Sequence, residues 1–150
     1  MIDNSISEGK LTYRTKVRVG DRPKVSNSKD AFELFYLSWD MDTIELFEEF
    51  KIMLLNRSNK LLGIASISKG GISGTVTDVR IILQNAIKSN ASSILVAHNH
   101  PSGNKEPSET DIKMTRKIKE ACILMDLSLL DHLIIVPDNE FYSMADNGIT

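Results

Sequence analysis

The segment AHNHPSG, residues 97–103, carries the pattern on which the interpretation of this sequence depends. Its two histidines, His98 and His100, occupy positions i and i+2, so at the end of an extended strand both rings project from the same face. A proline and a glycine then break the strand, and ten residues separate His100 from Asp111 near the start of a predicted helix. Two imidazoles and one carboxylate, with a fourth position left to water, are the usual ligands of a catalytic zinc site. We therefore predict that His98, His100 and Asp111 bind Zn²⁺.

Each part of this pattern also has an ordinary structural explanation. Two nearby histidines occur by chance in many loops, and Ser108-x-x-Asp111 ahead of an apolar helical pattern is a common helix capping box. The whole combination is more specific than its parts. His-x-His-Pro, followed at this spacing by Ser-x-x-Asp, resembles the JAMM (MPN-plus) metalloprotease motif.

The similarity continues around the motif. Residues 90–111, and the later segment LLDHLII at residues 129–135, resemble the RadC family of bacterial JAMM-domain proteins over roughly residues 25–148. The resemblance implies an α/β fold of mixed α+β type, a single JAMM/MPN-like (cytidine deaminase-like) domain with a central mixed β-sheet flanked by helices. We assign this domain to residues 25–150, and a basic N-terminal arm or edge strand to residues 1–24. Long family members carry an N-terminal helical region of DNA-binding character, for which we expect no room in this chain.

Composition agrees with one folded domain. With 150 residues, 41% of them hydrophobic and 25% charged, the chain can bury a stabilising core without disulfides. The single cysteine, Cys122, lies in an apolar helical pattern and is predicted as a small core residue rather than a nucleophile. No apolar run reaches the length of a membrane span and no signal sequence is recognised, so we expect a cytoplasmic protein without membrane contact.

Charge is unevenly distributed along the chain, although the net charge is only −2. Residues 10–29 contain seven cations and one acid, Asp21, whereas the charged residues of 30–49 are all acidic. The basic arm could make weak contact with nucleic acid. Alternatively, residues 13–19 form an edge strand whose cations discourage association between sheets. We favour the second interpretation because the sequence pI is acidic and no aromatic platform accompanies the cations.

Hydrophobic periodicity places these motifs on predicted elements. The glycine-rich segment 66–74 lacks the ending of a phosphate-binding loop and is predicted as a turn or a rim of the cleft. Helices are predicted at residues 29–39, with Ser28 as N-cap, at 78–89 and at 112–125; strands are predicted at 50–55 and 60–68, joined by a turn at 56–59, and at 93–98, 127–136 and 141–144.

The resemblance also implies catalytic roles for two further residues. A metal-activated water needs a carboxylate to remove its proton, and in JAMM proteins this glutamate stands at the start of a strand. The segment EEF at residues 48–50 matches, so we assign the base to Glu49, with Glu48 as the register alternative that alternation would turn to the opposite face. The alternative interpretation, which does not use the resemblance, is that Glu48 and Glu49 are both solvated charges at a strand edge. Ser108 either stabilises the developing oxyanion or only caps the helix.

These assignments predict a zinc-dependent hydrolase that cleaves a peptide or isopeptide bond in an unidentified peptide or protein substrate. The family label links the fold to DNA repair, and the alternative function is a DNA-associated accessory protein or a metal-dependent nuclease. Nuclease chemistry is disfavoured because two-metal sites usually gather more carboxylates than this segment offers. Asp131 and His132, within an apolar segment, either support a metal ligand or form a purely structural pair, which we favour. The sequence does not predict the oligomeric state.

Overall fold

Five strands form one mixed sheet at the centre of the fold, in the order β2-β1-β3-β4-β5. The computed structural model describes residue 14 and residues 16–70 and 77–150. Strands β3 and β4 are parallel, and the other neighbouring strands are antiparallel. The strands are β1 Glu49–Leu55, β2 Leu61–Lys69, β3 Ser93–Asn99, β4 Ser128–Val136 and β5 Glu140–Ser143; the helices are α1 Ser28–Ser38, α2 Val79–Lys88 and α3 Glu109–Leu124, after a short 3-10 helix at Val19–Asp21.

The helices cover both faces of the sheet, and each face has its own apolar core. Helix α1 contributes Phe32 and Phe35 to a core that includes Met53 and Leu133 of the sheet. Helices α2 and α3 contribute Ile82 and Ile118 to a second core on the other face. Alternation along each central strand supplies both cores, because successive side chains point to opposite faces. This arrangement confirms the predicted mixed sheet flanked by helices.

The predicted order of helices and strands is confirmed, with boundaries that differ by a few residues. Helix α3 starts at Glu109, earlier than predicted, because Ser108 and Asp111 form a reciprocal capping box at its first turn. The prediction of Ser28 as the N-cap of α1 is wrong. Asn27 is the N-cap, and its side-chain oxygen accepts a hydrogen bond of 2.9 Å from the backbone N–H of Asp30.

The edge-strand interpretation of the N-terminal arm is wrong for the part that the structure describes. Residues 16–18 adopt no strand, and the 3-10 helix follows at once. The end of the arm reaches the sheet edge: Lys24 forms an isolated antiparallel bridge with Lys60, and Pro23 O accepts a hydrogen bond from Leu61 N of β2 at 2.8 Å. Tyr13 and Thr15 lie outside the described residues, as do residues 71–76 of the glycine-rich segment, whose first part belongs to β2. Among the described residues, no helix is long and apolar enough to cross a membrane.

Candidate metal centre

The two histidines meet where β3 ends. His98 Nε2 lies 2.9 Å from His100 Nε2. The other ring nitrogen of each histidine is already engaged: His100 Nδ1 lies 2.6 Å from the backbone oxygen of Asn104, and His98 Nδ1 lies 2.7 Å from His132 Nε2. A carbonyl oxygen only accepts, so His100 Nδ1 donates to Asn104. In the neutral ring, Nε2 of His100 therefore presents a lone pair toward His98.

The first turn of α3 brings Asp111 to this pair. Its Oδ1 lies 3.3 Å from His98 Nε2, and its Oδ2 lies 3.4 Å from His100 Nε2. Burial alone would raise the pKa of Asp111, but its contacts with the two histidines outweigh burial and lower that pKa far below its usual range. Burial likewise disfavours a positive charge on His100, yet its contacts with Asp111 and Asn104 raise its pKa. The cluster thus holds a carboxylate and favours positive charge beside it.

The separations within this cluster fit a zinc ion. Tetrahedral bonds of about 2.0–2.1 Å to zinc hold neighbouring ligand atoms about 3.3 Å apart. The two Nε2 atoms are 2.9 Å apart, and the contacts to Asp111 are 3.3 Å from His98 to Oδ1 and 3.4 Å from His100 to Oδ2, so each carboxylate oxygen lies near one ring. Imidazole and carboxylate are also ligand types that zinc prefers. The structure thus brings the three predicted ligands together, and zinc binding itself stays a prediction.

A second carboxylate near the histidine pair belongs to Glu48. Glu48 Oε1 lies 3.9 Å from His100 Nε2, and one ligand atom from each of Glu48, His98 and His100 lies within 4.8 Å of the others. Glu49 Oε1 lies 3.8 Å from Lys51 Nζ, on the face that α1 covers. The assignment of Glu49 as the base at the histidine cluster is therefore wrong, and the register alternative Glu48 occupies that position.

Strand register explains the difference between the two glutamates. Phe50 of β1 pairs with His98 of β3 in an antiparallel ladder, and directly opposed residues share a face. The two rings stack with an angle of 6° between their planes. Continuing this ladder by two residues sets Glu48 opposite His100, whereas Glu49 falls opposite Asn99 on the other face.

A small cavity lies beside the cluster. Its volume of about 60 Å³ exceeds the ~10–15 Å³ that a single water molecule requires. The lining residues are Glu48, Phe50, Thr77, His98, Thr110, Asp111, Met114 and His132.

Comparison with known proteins identifies the family of the chain. Residues 25–149 match the family model described as RadC-like JAB domain. The chain belongs to this family. A relative named UPF0758 protein from Flavobacterium johnsoniae is 43% identical over 129 residues, covering 84% of this chain and 53% of the relative. A UPF0758 protein from Porphyromonas gingivalis is 45% identical over 102 residues, covering 68% of this chain and 45% of the relative. A UPF0758 protein from Clostridium beijerinckii is 36% identical over 137 residues, covering 91% of this chain and 58% of the relative. The chain thus spans about half the length of the curated relatives it matches.

In this RadC-like domain, Ser108 is the N-cap of α3. Its Oγ accepts a hydrogen bond of 3.1 Å from the backbone N–H of Asp111, and its own backbone N–H donates to Asp111 Oδ2 at 2.8 Å. This capping interpretation is confirmed. The cap uses a lone pair of the hydroxyl and leaves its proton, so donation to an oxyanion is chemically compatible with capping and stays a prediction.

Asp131 and His132 are neighbours in sequence but contact different parts of the structure. Asp131 accepts hydrogen bonds from Ser143 Oγ, from Ala145 N and from His132 N, so it fixes local backbone. Burial raises the pKa of Asp131, although these hydrogen bonds oppose the rise. The His132 ring instead contacts His98, and burial together with the nearby His98 lowers its pKa well below the usual value. The contacts of Asp131 agree with the structural interpretation, whereas the His132 ring has side-chain partners, one of which is the candidate ligand His98.

Sequence reasoning missed Asn99, the residue between the two histidines. Its side chain is fully buried on the face opposite the RadC-like cluster. The amide nitrogen donates to Ile44 O and Phe47 O, each at 2.8 Å, and the amide oxygen accepts from Glu49 N at 2.7 Å. Asn99 thereby ties the end of β3 to the start of β1, where Glu48 lies. An amide within a buried strand pattern was the available signal, since such a group requires partners.

Proposed function

We propose that this RadC-like JAB domain is a zinc-dependent hydrolase that cleaves a peptide or isopeptide bond. The observation that carries this proposal is the convergence of His98 Nε2, His100 Nε2 and the Asp111 carboxylate, with Glu48 at the edge of the same cluster. Three protein ligands with a carboxylate nearby are typical of catalytic rather than structural zinc sites. The family membership and the ligand chemistry both support this reaction class.

The two histidines and Asp111 would hold the metal. Zinc in such a site lowers the pKa of a coordinated water to about 7 and polarises a carbonyl. Glu48 then acts as the general base and acid: it accepts a proton during attack on the carbonyl and returns that proton to the departing amine. Its distance of 3.9 Å from His100 Nε2 leaves Glu48 close to the ion position without a hydrogen bond to either ring.

Ser108 would stabilise the transition state as an oxyanion donor, from an exposed position at the N-terminus of α3 where it contacts Asp111. Its hydroxyl proton is available because the capping contact uses the oxygen as an acceptor. Loss of one oxyanion donor typically costs ~3 kcal/mol of transition-state stabilisation. The rigid first turn of α3 would hold this donor beside the Asp111 ligand, so one helix terminus supplies both groups.

The proposed substrate is a peptide or protein whose scissile amide approaches from outside the cavity. A volume of about 60 Å³ is too small for a bulky side chain. An extended or isopeptide-linked amide presents its carbonyl with little volume around it. We therefore propose that the reacting bond enters the mouth of the cavity while the remainder of the substrate stays at the surface.

The test begins with metal content, measured by elemental analysis on untagged protein that has met no chelator. We expect near-stoichiometric zinc in the parent chain and little in the His98→Ala/His100→Ala variant. A panel of fluorogenic peptides and Lys-isopeptides is then assayed with and without zinc. We expect Glu48→Gln to lower kcat by about 10²–10⁴-fold, whereas the matched variant Glu49→Gln keeps its rate. Absence of zinc after its addition to the parent, or full turnover by Glu48→Gln, would refute the proposal.

A further inference from the structure

A continuous line of polar contacts runs inward from the His98 ligand. His98 Nδ1 lies 2.7 Å from His132 Nε2, and His132 Nδ1 lies 2.6 Å from Thr115 Oγ1. Thr115 Oγ1 in turn lies 2.7 Å from the backbone oxygen of Asp111. The line therefore starts at one candidate ligand and ends on the backbone of another, through two side chains that the proposed chemistry does not use.

The chemistry of each group sets the direction of these hydrogen bonds once a metal occupies His98 Nε2. The neutral His98 ring then carries its proton on Nδ1, so Nδ1 donates and His132 Nε2 accepts. His132 carries its own proton on Nδ1 and donates it to Thr115 Oγ1. The Thr115 hydroxyl donates its proton to the Asp111 carbonyl, and every donor in the line has an acceptor.

We propose that His132, held by Thr115, is a positioning residue that selects the Nδ1–H tautomer of His98 and so presents Nε2 to the metal. This inference rests on the proposed metal centre. A hydrogen bond from the second nitrogen of a metal-ligating histidine commonly fixes its tautomer and ring orientation. Here the acceptor is a second histidine, and the hydroxyl behind it determines which nitrogen of that histidine accepts.

The packing around His132 supports a role beyond filling space. The ring is 1% exposed and lies edge-on to Phe50, with 5.6 Å between ring centroids. Phe50 also stacks on His98, so one aromatic ring restrains both imidazoles. Burying a polar ring is unfavourable unless its nitrogens are hydrogen-bonded. Within the described part of the chain, the His132 ring nitrogens contact only His98 and Thr115, and both contacts belong to this line.

The test is the dissociation constant for Zn²⁺ of the full chain, measured by competition with a chromogenic chelator. We expect His132→Leu to weaken zinc binding by about 10–100-fold, the usual effect of losing the partner of a ligating histidine. His132→Gln should restore affinity to within about threefold of the parent, because its amide oxygen can accept from His98 Nδ1. Thr115→Val, which removes only the hydroxyl, should weaken binding by about 3–10-fold.

A control separates this effect from general loss of stability. Cys122→Ala alters a fully buried side chain on the same helix as Thr115, away from the histidines. It should lower the midpoint of urea unfolding, measured in EDTA, and leave the zinc dissociation constant unchanged.

Long-range ¹H–¹⁵N NMR of the zinc-loaded parent should detect His98 with its proton on Nδ1, and Thr115→Val should reduce that tautomer in favour of a mixture.

The outcomes are distinguishable from those of the proposed function. A parent chain that binds zinc, with unchanged affinity in His132→Leu and Thr115→Val, overturns the positioning role alone. If His132→Leu does not fold, the remaining variants decide. The positioning role is overturned if Thr115→Val binds zinc as tightly as the parent and if His132→Gln weakens zinc binding no more than Cys122→Ala does. The expected affinity series in a protein that hydrolyses no substrate would support the positioning role and refute the hydrolase. A parent that binds no zinc refutes both.

Discussion

Neutralising the adjacent residues Glu48 and Glu49 in turn should have different consequences, because they lie on opposite faces of the sheet. Glu49 is 8% exposed, and its Oε1 lies 3.8 Å from Nζ of Lys51, which is 7% exposed. Removing one partner of a buried ion pair typically costs ~3–5 kcal/mol. Lys51 Nζ keeps its 2.5 Å hydrogen bond to Ser38 O and its position above the Trp39 ring. We therefore expect Glu49→Gln to lower the free energy of unfolding by only about 1–3 kcal/mol.

Glu48→Gln should leave stability nearly unchanged. The Glu48 side chain is 23% exposed, and its described ionic contact is the 3.9 Å approach to His100. Substitutions of this kind usually change the free energy of unfolding by less than about 0.5 kcal/mol. Both variants are compared by urea unfolding in EDTA, so that metal binding does not stabilise one of them selectively. Equal losses, or a larger loss in Glu48→Gln, would refute the register that places Glu48 at the histidines.

The pH dependence of stability gives a second readout of the same pair. Burial lowers the pKa of Lys51 below its usual value of 10.5, although Glu49 opposes that shift. The unfolded chain therefore binds more protons between the lowered pKa and 10.5, and the free energy of unfolding rises with pH through that window. In Glu49→Gln the opposing effect is lost, so the rise should begin at a lower pH. A rise that begins at the same pH in parent and variant would contradict an interaction between these two groups.

Three further predictions concern residues around the candidate site. Ser108→Ala should lower the free energy of unfolding by ~1 kcal/mol through loss of the cap, measured by urea unfolding, and an unchanged midpoint would contradict the capping role. The pKa of the buried Cys122 thiol is raised to about 11, so N-ethylmaleimide at pH 8 should modify it only after unfolding, as mass spectrometry would detect. Asn99→Leu removes three buried hydrogen bonds and should lower the free energy of unfolding by about 2–4 kcal/mol. A decrease below about 0.5 kcal/mol, measured by urea unfolding, would show that these bonds do not hold the strand ends together.

The part of the site that could be predicted from sequence is the part built by local geometry. His98 and His100 share a face because a strand alternates every two residues, and Asp111 lies one residue before the predicted helix start at residue 112. Apolar periodicity likewise predicted the helices and strands of the sheet. Both signals depend on residues close together in the chain, so a single sequence contains them.

The remaining contacts depend on pairing between distant strands. The choice between Glu48 and Glu49 rests on the antiparallel register that opposes Phe50 to His98. The contact of His132 with His98 rests on the parallel pairing of β3 with β4, in which His132 opposes Val96. A shift of one residue in either ladder would turn the side chain to the other face. No local pattern determines that register, so neither the position of Glu48 nor the contact between His132 and His98 could be predicted from the sequence.

The alternation of β3 divides the AHNHPSG segment between two functions. The side chains of His98 and His100 form the cluster on one face, while Asn99 fixes the start of β1 from the other face through Glu49 N. The candidate base Glu48 immediately precedes that fixed amide, and its own carbonyl accepts a hydrogen bond from Gly70 N at 2.8 Å. The backbone at Glu48 is therefore held by main-chain hydrogen bonds, without using the Glu48 side chain. Fixing the backbone at residues 48 and 49 limits the positions that the Glu48 carboxylate can reach, which favours the placement that a general base beside a metal requires.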